Sequence, residues 1–162
     1  MKTILLILFC FVQREVQSQH ITTFILVRHA EKVSDGSKDP ELTEEGKQRA
    51  LRLAELLKET KVDAIYSTSF KRTMNTVTPL AFAKGMEIHT YDALKPGPID
   101  ELLAKFPGGT VVLVGHSNSI PWTANYLTGS ETYKNFNEAD YGNVMIVEVI
   151  ERGKAKVVWL KY

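Results

Sequence analysis

Thr110-Val111-Val112-Leu113-Val114-Gly115-His116-Ser117-Asn118 is the stretch on which the fold turns. Its first five residues form the most apolar β-branched run past residue 18, as expected of a central strand covered on both faces. Gly115 ends the run. Asn118 to Leu127, with Gly129 behind it, then reads as a helix and its C-terminal stop. A buried strand passing into a helix across so short a turn is the repeating unit of an α/β sheet.

The same alternation extends on both sides. Ile21 to Val27 is a second short apolar run, bounded by polar residues. From Thr43 the period becomes helical: Thr43 can cap, Glu44 and Glu45 occupy the first turn, and Ala50, Leu53, Ala54 and Leu57 share a face that closes at Lys58. Ala64 to Tyr66 predicts a strand, and Ser69 is positioned to cap a helix from Phe70. That helix carries Met74, Val77 and Ala81, is expected to kink at Pro79, and stops at Gly85. Glu87 to His89 predicts a short strand. Pro98 can open a small helix burying Leu102, Leu103 and Phe106 before Gly108-Gly109 breaks the chain. Asn143 to Ile150 and Lys154 to Tyr162, joined around Arg152-Gly153, predict a terminal hairpin. The expected class is α/β: three layers, α/β/α, around a mostly parallel sheet with a C-terminal hairpin.

With 162 residues, 44% hydrophobic and 24% charged, the chain can bury a core without staples, which excludes disorder, collagen and coiled coil. Lys plus Arg number 20 against 19 acids, and no basic run exists to hold a polyanion, so nucleic acid is not expected as a partner. Residues 1–18 read as a secretory signal peptide: Lys2 supplies the positive end, Ile4 to Val12 an apolar stretch too short to span a bilayer, and Val16-Gln17-Ser18 a small-residue cleavage signal. A single domain, residues 19–162, follows. Removing the leader takes two basic residues and one acidic residue, leaving 18 of each, and removes the only cysteine, Cys10. The remaining chain then has no thiol for catalysis, zinc or iron–sulfur ligation. The expected location is periplasmic or extracellular. Lipid anchoring through Cys10 is the alternative, against which the bulky Phe9 stands.

In a parallel sheet ligands bind beyond the carboxyl ends of the strands. The first run ends in Arg28-His29-Ala30-Glu31 and the central run in Gly115-His116-Ser117-Asn118, while Ser67-Thr68-Ser69-Phe70-Lys71-Arg72 puts Arg72 in the first turn of a helix. A cation is unfavourable there unless an anion sits beside it. Two arginines, two histidines and helix amino ends converging on one point describe a site for a tetrahedral dianion. A neutral imidazole can attack phosphorus once its other nitrogen is held by an acceptor. Ser67 and Asn118 are further candidates for phosphate contact. His20 and His89 read as surface or structural residues. Gly115-His116-Ser117-Asn118-Ser119 has the outline of a serine hydrolase elbow, but no histidine follows Ser117 to complete a triad in that order.

Leu26-Val27-Arg28-His29-Ala30-Glu31 resembles the Arg-His-Gly signature of the histidine phosphatase, or phosphoglycerate mutase-like, superfamily. Pro40-Glu41-Leu42-Thr43-Glu44-Glu45-Gly46 resembles the loop entering its first helix, Tyr66 to Thr73 its second arginine element, and Val114-Gly115-His116-Ser117 its second histidine. Four matches in the family's order are specific where one would be weak. The resemblance is to the short single-domain phosphatases, without the long insertions of the mutases. It implies a phosphohistidine on His29, phosphoryl binding by Arg28, Arg72 and His116, a small phosphorylated substrate, and no metal or other cofactor. Ala30 departs from the usual glycine and needs a negative φ. The proton donor that many members carry after the third short strand has no counterpart near Leu94, where Lys95 and Pro96 stand, leaving Asp92, Asp100, Glu101 and Glu31 as candidates. The expected function is an exported phosphatase acting on phosphomonoesters or phosphoramidates. The alternatives are a phosphate-binding protein without turnover and a mutase-type phosphotransferase. No motif bears on oligomeric state.

Overall fold

The computed structural model describes residues 20–162. The segment read as a leader, its expected cleavage point and Cys10 lie outside the described residues. Six strands and four helices alternate: β1 (Thr22–Arg28), α1 (Glu44–Leu56), β2 (Ala64–Ser67), α2 (Lys71–Lys84), β3 (Ile88–Thr90), α3 (Pro96–Lys105), β4 (Thr110–Gly115), α4 (Ser119–Thr128), β5 (Asn143–Glu151) and β6 (Lys154–Lys161). They build one sheet in the order β3-β2-β4-β1-β5-β6, parallel from β3 to β1 and antiparallel through the β5–β6 hairpin. The run at 110–114 lies at the centre, between β2 and β1.

Alternation along the strands sorts the core into two layers. Phe24 and Leu26 of β1, with Val111 and Leu113 of β4, pack against Ile99 and Leu102 of α3 and Ile120, Ala124 and Leu127 of α4. Ile25 and Val27, with Val112 and Val114, pack against Leu53 and Leu57 of α1 and Val77, Leu80 and Ala81 of α2. Continuing the β1 alternation puts Arg28 on the α3/α4 side at the carboxyl edge of the sheet.

Thr43 caps α1 as its sequence predicts, its hydroxyl accepting the Gly46 N–H at 3.1 Å. Other boundaries differ from expectation. α2 begins one residue later than predicted and Phe70, not Ser69, precedes it without a side-chain cap. The acceptor comes instead from Asp39, whose carboxylate takes the Lys71 N–H at 2.9 Å, so the loop before α1 docks on the amino end of α2. α2 runs through Pro79 as one helix to Gly85, which closes it at φ 63°. α3 opens at Pro96 rather than Pro98, because the fixed φ of both prolines suits a first helical turn.

Gly46 belongs to a close approach. A β-carbon there would run into the backbone carbonyl of Glu31, which also accepts the Thr43 N–H at 2.9 Å. Ala30, next to it, has no left-handed backbone, so its methyl is accommodated, and it packs buried with Leu42 and Ala50. Gly46→Ala should therefore push α1 off the loop behind β1 and cost about 1–3 kcal/mol, as overpacking does. A lowered urea midpoint with unchanged slope is the expected result, and an unchanged midpoint would contradict this packing.

Candidate active site

The neighbouring parallel strands β1, β4 and β2 end at one edge and set three residues side by side. Arg28 lies opposite Gly115, the His29 N–H donates to the Gly115 carbonyl at 2.9 Å, and the Thr68 N–H donates to the Val114 carbonyl at 3.2 Å. The His29 and His116 rings come within 5.4 Å, centre to centre, inclined at 65°. His116 is held at its backbone, whose N–H donates to Ser119 Oγ at 2.9 Å. A β-carbon on Gly115 would stand 2.5 Å from that oxygen, so glycine is needed where the strand turns into α4.

His29 is buried, and its Nδ1 lies 2.8 Å from the Ala30 carbonyl oxygen. A carbonyl only accepts, so Nδ1 carries the proton and Nε2 keeps its lone pair. Burial pushes the pKa of His29 down to about 4; the Ala30 bond opposes this, while His116, Arg28 and Arg72 add to it. His116 is also lowered to about 4, first by burial and then by the charges of Arg72 and Arg28, with Glu138 acting the other way. Its Nε2 is 3.0 Å from Thr68 Oγ1, which is 2.9 Å from Thr73 Oγ1. Both imidazoles are therefore neutral across ordinary pH.

Arg28 is fully buried. Its Nη1 donates to the carbonyls of Asn137 at 2.7 Å and Asp140 at 2.9 Å, and its Nη2 to the carbonyl of Glu138 at 2.9 Å and the Glu138 carboxylate at 3.4 Å. The guanidinium lies 4.4 Å from the centre of the Tyr141 ring. Arg72 stacks on Phe70 at 4.3 Å and reaches the loop before α1 through the Lys38 carbonyl at 3.4 Å and Asp39 at 3.7 Å. Burial lowers its pKa, against the opposing charges of Asp39 and Glu138. The Nε–H groups of both arginines are buried and have no acceptor among the described residues. Unpaired buried donors are costly, so they mark where an anion's oxygens would be accepted.

His29, His116, Arg28 and Arg72 are thus brought together, whereas the other residues singled out from sequence go elsewhere. Ser67 is buried and donates to the Thr68 carbonyl, and Asn118 is exposed ahead of α4 without a capping bond. Of the four carboxylates, none makes a hydrogen bond or ion pair with the histidines or the two arginines. Glu31 is gripped by Arg49 through Nε at 2.9 Å and Nη2 at 2.5 Å; burial raises its pKa, but Arg49 outweighs that and keeps it ionised. Asp92 pairs with Lys95 at 2.6 Å, and Asp100 accepts from the Tyr126 hydroxyl at 2.7 Å. Glu101 lines a separate cavity of about 290 Å³ with Tyr66, Tyr91 and Lys105. Sequence reasoning missed Thr68, which lay in a quoted motif without a role, and Glu138, which no periodicity or motif marks. Among the described residues no group of three or more His, Cys, Asp or Glu side chains is arranged to hold a metal ion.

Residues 24–95 match the family model described as the histidine phosphatase superfamily (branch 1). Over 76 residues the chain is 41% identical to phosphoserine phosphatase 1 of Hydrogenobacter thermophilus, covering 43% of this chain and 36% of that protein. The match thus spans about a third of that curated relative's length. Three solved structures share the fold. The protein histidine phosphatase SixA complexed with tungstate has a TM-score of 0.72 at 17% identity, covering 86% of this chain and 96% of that one. A mycobacterial glucosyl-3-phosphoglycerate phosphatase has 0.69 at 16%, covering 88% and 98%. A phosphoserine phosphatase mutant from Entamoeba histolytica, in complex with phosphoserine, has 0.68 at 18%, covering 85% and 95%. Residues 24–95 are thus similar in sequence to the histidine phosphatase superfamily, and most of the chain shares the phosphoglycerate mutase-like fold of these solved phosphatases.

The two histidines give a pH dependence whose sign follows from their lowered pKa values. Unfolding returns each to about 6.5, so below that pH the unfolded chain binds more protons than the folded one. Their contribution against folding is absent above pH 6.5, grows as pH falls, and levels off below about 4. Urea midpoints should accordingly decline across this window, and His29→Asn should decline less. Imidazole nitrogen NMR at pH 6 should show His29 neutral with the proton on Nδ1; titration of both rings near 6.5 would contradict the geometry.

Proposed function

We propose that the chain is a phosphatase that works through a phosphohistidine on His29. The observation that carries this reading is a buried, neutral His29 whose Nδ1–H is tied to Ala30, beside two guanidinium groups with unpaired Nε–H donors. The Nε2 lone pair attacks phosphorus and the bond to the leaving oxygen or nitrogen breaks. Arg28, Arg72 and a ring N–H of His116 bind the phosphoryl oxygens as their charge shifts, which is the main catalytic device available to such a site. Water then attacks phosphorus, the electron pair of the P–N bond returns to His29, and inorganic phosphate leaves. The arginines supply positive charge of the kind that magnesium supplies in other phosphoryl transfers, which supports metal independence.

The substrate class we propose is a small phosphomonoester, a reading that the phosphoserine and glucosyl-3-phosphoglycerate phosphatases among the relatives support. Phosphoramidates fit the same chemistry. Export is proposed on residues 1–18 alone: protein recovered from the periplasm or medium should begin near residue 19, and recovery solely from cytosol at full length would contradict it.

Purified protein should hydrolyse p-nitrophenyl phosphate in the presence of EDTA, and His29→Ala should abolish that turnover. Arg72→Ala should lower kcat/KM by about 10²-fold or more, as loss of a transition-state donor does. Near-wild-type activity of His29→Ala would overturn the phosphohistidine, and activity that EDTA removes would overturn metal independence. Binding of inorganic phosphate without turnover of any phosphomonoester or phosphoramidate would favour a binding protein of the same fold.

A further inference from the structure

The four carboxylates expected from sequence as proton donors are engaged elsewhere or line another cavity, yet the site is not without an acid. Glu138 lies on the loop between α4 and β5. Its carboxylate accepts from Ser117 Oγ at 2.9 Å with one oxygen and approaches Arg28 Nη2 at 3.4 Å with the other. Ser117 follows His116 and Arg28 precedes His29, so this carboxylate bridges the residues next to both histidines. Its backbone is fixed independently, because its own carbonyl accepts from Arg28 Nη2 and the carbonyls of Asn137 and Asp140 accept from Nη1. The side chain itself is 76% exposed, so it is open to a substrate entering from solvent. The positions of Arg72 and His116 make its charge felt at both groups.

We propose that Glu138 is the acid–base residue of the site, an inference that rests on the phosphatase reading above. In the first half-reaction, as His29 Nε2 bonds to phosphorus, the protonated Glu138 carboxyl gives its proton to the leaving oxygen and an alcohol departs. In the second, the Glu138 carboxylate takes a proton from the attacking water, the P–N bond breaks, and phosphate leaves with Glu138 protonated again. The net change is phosphomonoester plus water to alcohol plus phosphate. Without ligand, the Ser117 bond outweighs the opposing effect of burial and, with the Arg28 charge, holds the carboxyl below its ordinary range. A bound phosphomonoester acts against this balance. Its charge opposes a carboxylate beside it, and its own second ionisation, near pH 6, gives the monoanion a proton to bring.

Leaving-group dependence separates this role from a loop clamp. Glu138→Gln keeps the backbone contacts to Arg28 and an acceptor for Ser117 but has no proton to exchange. On phosphoserine, whose alkoxide is a poor leaving group, kcat/KM should fall by about 10²–10⁴-fold, the range of a general acid. On 2,4-dinitrophenyl phosphate, whose leaving group needs no proton, the loss in kcat/KM should shrink to under about tenfold. The variant should then release one equivalent of dinitrophenolate in a burst before a slow steady state, because water attack on the phosphohistidine lacks its base. Equal losses on both substrates, no loss on phosphoserine, or higher activity on both would overturn the assignment. Failure of the wild type to turn over either substrate would instead overturn the phosphomonoesterase reading on which the assignment rests, so the two failures are distinguishable.

Discussion

Arg28 carries a positive charge with no exposed surface at all, at the end of the strand that leads into His29. Burying a cation without partners is prohibitive, and here three carbonyls and one carboxylate from a single loop receive four of its five N–H groups. The consequence runs in both directions along the chain. The strand end is held against the sheet edge, and a loop with no regular structure of its own is given a fixed path across the site. That path delivers Glu138 to Ser117 and Tyr141 to the face of the guanidinium.

The neutrality of the two histidines depends on the same enclosure. Strand alternation covers both faces of β1 and β4 with apolar layers, so the polar residues at and just past their ends stand at the rim of the apolar core. Burial is the largest influence on both imidazoles, and the nearby guanidinium charges act in the same direction. An arrangement that keeps imidazole unprotonated beside two cations leaves a lone pair on Nε2 and positive charge for an incoming anion, as phosphoryl transfer to nitrogen requires.

Much of this was readable from residue patterns because the fold and the site share one cause. The runs at 21–27 and 110–114 are buried strands by composition, and in a parallel sheet the residues just past them must meet at one edge. Arg28, His29 and His116 were legible for that reason, and Arg72 because a cation in a first helical turn calls for an anion. What escaped depends on contacts distant in sequence. Glu31 looked available as an acid because nothing local announces Arg49, 18 residues on. Ser69 looked like a cap because the acceptor that replaces it, Asp39, comes from a loop 32 residues before the Lys71 N–H it accepts. Glu138 was invisible because the loop between α4 and β5 has neither periodicity nor motif, and its course is set by a guanidinium 110 residues earlier.

The proposed chemistry turns on a covalent bond between phosphorus and His29 Nε2. Rapid mixing with a ³²P-labelled phosphomonoester, followed by denaturation in alkali, tests it most directly. Label should remain on the protein in alkali, be lost in acid, map to His29, and be absent from His29→Ala. Phosphate release with no such label, or label on His116 instead, would contradict it.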